Sequence, residues 1–231
     1  MEMHTLGAFF VASTLLALAP GPDNIYVIAQ SALHGWRRGV IITLGLCSGL
    51  VGHGALVALG VASILMTSPV AMSILQGLGA AWLCWIGFQA LRAALARPTG
   101  DDQPSTADSG MADGGDGSGA EQRVSGWQLY RRGVIMNLSN PKVFIFFMAF
   151  LPQFVDPDAV GLFDNMTIQV ALLSVLFMLA ALLVFSSMAL VSARVGSTAM
   201  QSPMAQRWLN GLSGLVFMGL AAKLATTRLV Q

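Results

Sequence analysis

Residues 18–27 read LAPGPDNIYV, and they interrupt an apolar run that otherwise has the length of a membrane-spanning helix. Two prolines, a glycine and a carboxylate stand where a continuous span would carry hydrocarbon side chains. Proline is disfavoured inside a helix because it removes one backbone hydrogen bond and its ring collides with the preceding turn. The stretch therefore predicts a break within the first helix.

The composition predicts an integral membrane protein. Of 231 residues, 55% are hydrophobic and 10% are charged, and the mean hydropathy is +0.69. A soluble domain carries about 25% charged residues, so this chain has too little polar surface to be covered by water. A net charge of +1 argues against a nucleic-acid partner. Cys47 and Cys84 lie in apolar stretches and are predicted to be packing thiols; we expect no metal site and no cofactor.

Charge-free apolar runs predict an all-α protein with six transmembrane helices, each of which needs about 20 residues. The first three are residues 6–33 and two helices between Arg38 and Arg92 that are separated by a turn at 67–69. The others are 129–154, 166–193 and a helix that starts at Trp208. The first span is expected to be retained, because no Lys or Arg precedes it as in a signal peptide.

Nine basic residues fall in the connections 1–2, 3–4 and 5–6, against two at the C-terminal end. Cytoplasmic connections carry the excess of Lys and Arg, so both termini are predicted to lie outside.

Residues 98–126 differ from the rest because they are rich in Gly, Ser and Asp. Such a segment cannot bury enough apolar surface to order itself, which predicts a disordered cytoplasmic linker. Metal capture by its aspartates is the alternative, although no ligand spacing favours it. The linker separates a first three-helix repeat, 1–97, from a second, 127–231.

An odd number of helices per repeat gives the second repeat the opposite orientation in the membrane. Its first helix is also interrupted, at Asn140-Pro141, so helices 1 and 4 of the chain both break at proline motifs about halfway through the bilayer. Interrupted spans at corresponding positions of inverted repeats indicate a transporter with a binding site at the membrane midplane.

Each break is predicted to start a second half-helix. Gly21 and Asn140 are residue types accepted as N-caps, and Pro22 and Pro141 suit the first helical position. The positive ends of two helix dipoles would then lie near the bilayer centre, where they favour an anionic group such as a substrate carboxylate.

Each break also carries one charge directly after its proline. Asp23 is the one acidic residue, and Lys142 the one basic residue, predicted to lie deep within a span. Such a charge costs about 2.5–3.5 kcal/mol on insertion scales, which favours a substrate and proton site. The alternative is structural: Asp23 stabilises its own helix start, while Lys142 extends to an interface or pairs with Asp23.

His53 is predicted to lie deep on the second helix, among glycines at 45, 49, 52 and 54 that provide a small-residue packing face. A buried histidine bonded to a neighbour and a proton-relay histidine are both compatible with this position.

Several motifs together resemble the LysE/RhtB family of bacterial amino-acid exporters. They are APGPDN at 19–24, HGWRRG at 34–39, GLGAAWLCWIGFQALR at 77–92, the block RRGVIMNLSNPKVFIFFMAFLPQFV at 131–155 and WLNGLSGLVFMGLAAKLA at 208–225. The resemblance implies export of amino acids or close derivatives across the bacterial inner membrane, driven by the proton gradient. It also implies a set of conduction-site residues: Pro20, Gly21, Pro22, Asp23, Asn24, Asn137, Asn140, Pro141 and Lys142.

One departure from the family concerns substrate choice. Many members have an acidic residue directly after the glycine that matches Gly49, whereas this chain has Leu50. A neutral amino acid is therefore expected in preference to a cationic one.

The predicted function is proton-coupled export of amino acids, with the substrate, protons and the lipid bilayer as partners. A homo-oligomer is compatible with the sequence. A heavy-metal exporter on the same scaffold is one alternative, although soft metals want thiolate ligands and the cysteines do not cluster. A membrane enzyme is the other, but no nucleophile with its base stands out.

Overall fold

The computed structural model describes residues 3–61, 68–95, 124–156, 160, 165–196 and 203–229, and all regular secondary structure in these residues is helical. Four α-helices precede the predicted linker: α1 Met3–Leu18, α2 Pro22–His34, α3 Trp36–Leu56 and α4 Pro69–Leu95. Four follow it: α5 Gly126–Leu138, α6 Pro141–Ile145, α7 Met166–Val195 and α8 Pro203–Leu229. Helix α3 ends in a π-helical turn, Val57–Val61, and α6 continues through another, Phe146–Phe150, and a 3-10 turn, Leu151–Phe154.

Both proline motifs break their helices at the predicted positions. Helices α1 and α2 meet at 64°, and α5 meets the segment Pro141–Phe154 at 50°. Gly21 is the N-cap of α2, with extended backbone and Pro22 following it. Asn140 is the N-cap of α6, and its side chain accepts a hydrogen bond from the Lys142 backbone N–H. The two caps expected from the sequence are therefore present.

Three helices are long and apolar enough to cross a membrane on their own: Trp36–Leu59, Gln76–Leu95 and Met166–Val195. Counting each bent pair as one span gives up to five in the described part of the chain. The predicted sixth span lies in α8, which has 27 residues but does not belong to this set. Its polar residues Arg207 and Lys223 flank the apolar stretch. Six spans remain a prediction.

The predicted linker ends too late. Helix α5 begins at Gly126 and is capped by Ser125, whose side chain and that of Gln128 form a reciprocal capping box. This pattern, Ser-x-x-Gln, is a recognised helix start, and it was present in the sequence. Residues 98–123, where the predicted disorder falls, lie outside the described residues.

Glycines bring α3 and α5 into backbone contact. A Cβ atom at Gly49 would lie 2.8 Å from Asn137 Cβ, and one at Gly133 would lie 2.5 Å from Ile42 O. One at Gly45 would overlap the Tyr130 carbonyl oxygen. The glycine face of α3 is thus internal packing, as small residues allow in membranes.

Helix α7 packs against α1, α2 and α3, while α4 packs mainly against α8. If the first three predicted spans are matched in order with the last three, the pair α1–α2 corresponds to α5–α6, α3 to α7, and α4 to α8. Under this correspondence, the contacts of α7 with α1 and α2 match the contact of α3 with α5, and the α4–α8 contact matches itself. Helices α4 and α8 also meet through glycines, since a Cβ at Gly214 would lie 2.9 Å from Gly87 O. The packing has the pairing that two related three-helix repeats would produce.

Gly133→Ala is expected to lower stability by about 1–3 kcal/mol, because the added methyl group has no space between two backbones. Gly219→Ala is the matched control, since a Cβ there meets nothing within 4 Å. Alanine in an open helical position stabilises by roughly 0.5–1 kcal/mol. Thermal unfolding of both variants in detergent provides the comparison, and equal unfolding temperatures would contradict the packing argument.

Candidate functional site

The two breaks face each other and are joined by Asp23 and Asn140. Asp23 lies in the first turn of α2 and is 2% exposed. Asn140 Nδ2 donates to Asp23 Oδ2 at 2.7 Å, and Asn140 Oδ1 accepts from the Lys142 backbone N–H at 3.0 Å. One amide therefore caps α6 and holds the carboxylate of the other repeat.

Lys142 bonds to the end of α1. Its Nζ donates to the Leu16 carbonyl oxygen at 3.2 Å and to the Ala19 carbonyl oxygen at 3.0 Å. The last carbonyls of a helix have no partner within that helix, and the negative end of its dipole favours a cation. The ammonium thus bonds to carbonyls that the first break leaves without partners. The structural alternatives of the sequence analysis placed Lys142 at an interface or beside Asp23 and did not predict these bonds.

Asn24 completes the first break from within its own repeat. Its Nδ2 donates to the Ala17 carbonyl oxygen at 2.8 Å and contacts Met188 Sδ at 3.6 Å. The buried oxygens Asp23 Oδ1 and Asn24 Oδ1 accept no hydrogen bond. Unpaired buried acceptors are costly, so two acceptors at the break are left available to a ligand or water.

His53 lies next to Asn137. The ring is 1% exposed, its Nε2 lies 3.1 Å from the Asn137 carbonyl oxygen, and it packs beside Phe144 and Phe147. His53 Nδ1 and Asn137 Oδ1 have no hydrogen-bond partner. The bonded, buried histidine of the sequence analysis is observed, and a role as proton relay stays a prediction.

Asp23, Asn137 and Lys142 surround one cavity of about 10 Å³. Leu16 and Ala17 of α1 complete the wall at the first break. The rest of the wall is apolar and comes from α3, α6 and α7: Leu46, Leu50, Val143, Phe177, Ala181 and Phe185. This volume holds about one water molecule, so the site has no room for an amino acid in this conformation.

Asn24, Asn140 and His53 do not line the cavity, but each is hydrogen-bonded to a residue that does. The wall residues of α7 were missed by the sequence analysis. Phe177, Ala181 and Phe185 recur every four residues, the spacing of one helix face, but α7 is apolar all round and no face is distinguished.

Comparison with known proteins identifies the type of molecule that carries this site. A family model described as LysE type translocator matches residues 14–228. The chain belongs to the LysE family. It is a membrane transport protein and not an enzyme, which overturns the enzyme alternative.

Relatives match over nearly the full length. A homoserine/homoserine lactone efflux protein of Salmonella typhimurium is 32% identical, over 96% of this chain and 96% of the relative. A leucine efflux protein of Enterobacter sp. (strain 638) is 30% identical, over 96% of this chain and 93% of the relative. An uncharacterized membrane protein of Vibrio cholerae is 29% identical, over 99% and 100% of the two chains. No solved structure matches the chain.

Within the described ranges, no three His, Cys, Asp or Glu side chains lie close enough together to hold a metal ion. Cys47 is buried in α3, Cys84 is exposed on α4, and both thiols are free. The heavy-metal alternative gains no support from this arrangement.

Asn140→Ala is expected to destabilise the protein more than loss of a helix cap alone, because it also leaves the Asp23 carboxylate without its donor. Asn165→Ala is the matched control: Asn165 caps α7 by accepting from the Thr167 N–H and is exposed. We expect about 1 kcal/mol for the control and about 2–4 kcal/mol for Asn140→Ala. Thermal unfolding in detergent measures both, and an equal loss would show that the Asp23 bond contributes nothing.

Proposed function

We propose that this chain exports amino acids from the cytoplasm by proton antiport, with the substrate bound between the two helix breaks. The observation that carries the proposal is a pair of oppositely charged side chains, the buried Asp23 and the half-buried Lys142, at facing breaks of a translocator. Membrane-embedded charges are expensive and mark substrate or proton pathways. The efflux proteins for homoserine and leucine among the relatives support an amino acid as the cargo.

The charge balance of the cavity favours a neutral amino acid. Asp23 and Lys142 are its two charged lining residues and sum to zero, so a zwitterion adds no net charge. Leu50 is 2% exposed and lies in the same wall. A cationic side chain would therefore meet an apolar residue where a carboxylate is needed.

In this proposal the substrate carboxylate is held by Lys142 and by the exposed N–H groups of the α2 and α6 half-helices. The ammonium approaches Asp23, whose Oδ1 is unpartnered. When the site faces outward, Asp23 takes a proton from outside, loses its charge and releases the ammonium. Asp23 returns the proton to the cytoplasm when the site faces inward, which gives antiport.

The proposed architecture is six spans in two inverted three-helix repeats in the bacterial inner membrane, with both termini outside. The exchange symmetry of the helix contacts supports the repeats. Since the cavity has room for about one water, α1, α6 and α7 must separate before a substrate enters. Alternating access of this kind moves one group of helices against another around a fixed site.

Asp23→Asn is expected to abolish transport driven by a pH gradient, because the amide cannot exchange the proton. The assay is uptake and counterflow of labelled leucine and homoserine by purified protein in proteoliposomes. Asp156→Asn, in the connection before α7, is the control and should transport normally.

Membrane insertion and detergent stability of Asp23→Asn are measured alongside, since the amide retains the size of the carboxyl group. Gradient-driven transport by Asp23→Asn at the wild-type rate would refute proton coupling through this residue. Absence of any amino-acid movement in wild type would refute the exporter itself.

Leu50→Glu is expected to shift substrate preference toward cationic amino acids. The new carboxylate would lie in the cavity wall and supply the missing counter-charge. Leu50→Gln has similar shape without charge and is the matched control. Competition of unlabelled lysine against labelled leucine measures the shift; we expect at least a tenfold gain for lysine, equivalent to about 1.4 kcal/mol, in Leu50→Glu alone. An equal effect of both substitutions would show that size, and not charge, decides.

A further inference from the structure

The ammonium of Lys142 is held by backbone groups. Both hydrogen-bond acceptors of its Nζ are carbonyl oxygens, Leu16 O at 3.2 Å and Ala19 O at 3.0 Å, and neither is a carboxylate. The same Nζ lies 3.4 Å from the point where a Cβ of Gly21 would stand, so the glycine borders the ammonium at contact distance. The carbonyls, the glycine and the α1 dipole together form a cradle for one –NH3+ group.

This group is chemically the same as the α-ammonium of an amino acid. Each is a compact cation with three N–H donors and no acceptor. Two unpartnered buried acceptors remain at this break, Asp23 Oδ1 in the wall of the same cavity and Asn24 Oδ1. Lys142 Nζ donates to neither of them, so each is open to the third N–H of a substrate ammonium, which is not tethered to α6.

We infer that the Leu16 and Ala19 carbonyls, with the Asp23 carboxylate, form the subsite that binds the ammonium group of the substrate. In the structure, the ammonium of Lys142 occupies this subsite. The inference rests on the proposed function and extends it. When an amino acid enters, its carboxylate draws Lys142 out of the cradle, and its own ammonium takes the vacated place.

The exchange keeps the backbone satisfied. Carbonyls at membrane depth have no water to bond, and each unsatisfied group costs several kcal/mol. Replacing one ammonium by another leaves the two carbonyls bonded and the charge at the end of α1 unchanged. It also breaks the link between α6 and α1, so substrate binding releases a contact that holds the site closed.

The mechanism requires both ends of the substrate. An amine without a carboxylate offers nothing to stabilise the displaced Lys142, so wild-type protein should not bind it. Removing the Lys142 ammonium leaves the cradle empty, and the amine should then bind. The inference thus predicts that a variant without the Lys142 ammonium gains binding of the amine. A variant that had merely lost structure would not gain this binding.

The experiment uses full-length Lys142→Met in detergent and the probe 3-methylbutylammonium, which is leucine without its carboxylate. We expect a saturable rise in unfolding temperature of about 3–6 °C at a tenfold excess over the dissociation constant. Wild type should show no shift. 3-Methylbutanol tests the need for charge, and Lys223→Met removes the other lysine of the chain; neither should produce a shift.

A folded Lys142→Met that the amine does not stabilise would overturn the inference, and so would an equal shift in wild type or in Lys223→Met. If Lys142→Met does not fold alone, purification in the presence of the amine, but not the alcohol, should recover monodisperse protein. Failure of that recovery would also overturn it.

Wild-type counterflow of leucine and homoserine tests the proposed function separately. A rise in unfolding temperature with the amine but no amino-acid transport would support the subsite and refute the exporter. Transport without that rise would support the exporter and refute the subsite.

Discussion

The constraint on which this structure depends is that backbone groups in a membrane must find partners inside the protein. A proline break frees carbonyls at the end of one half-helix and N–H groups at the start of the next. Here the two breaks satisfy each other. Lys142 of the second repeat bonds the α1 carbonyls, and Asn140 caps α6 while donating to Asp23 of the first. Side chains of the second break thus bond to groups of the first and tie the two breaks together.

The same constraint separates rigid from adjustable parts of the fold. Helices α3 and α5 touch backbone to backbone through Gly45 and Gly133, where even a methyl group has no room. Such contacts allow little sliding, since close-packed interiors resist small changes of volume. The links around the breaks are instead a few side-chain hydrogen bonds, which in the proposed mechanism exchange partners with a substrate. A transporter needs both: a frame that keeps its geometry and a site whose bonds can change partners.

Part of the fold and of the site could be predicted because their determinants are local. Pro22 and Pro141 cannot sit within a helix, and Gly21 and Asn140 suit the caps before them, so the breaks follow from neighbouring residues alone. The start of α5 was equally local, in the Ser125 and Gln128 capping box, but was placed three residues late within the apolar run. The wall formed by Phe177, Ala181 and Phe185 had no such signal, because a helix apolar on every side does not show which face meets a cavity.

By itself the sequence determined a membrane class, two interrupted spans and one buried charge of each sign, since composition, proline and charge act through short-range chemistry and solvation. Only the tertiary structure decided the partners of those charges. Lys142 was expected beside a carboxylate or a ligand, and it bonds to the carbonyls of Leu16 and Ala19. Every residue has a carbonyl, so no sequence pattern marks which ones a break will leave open. The approach of Lys142 to the end of α1 in the folded chain makes that choice.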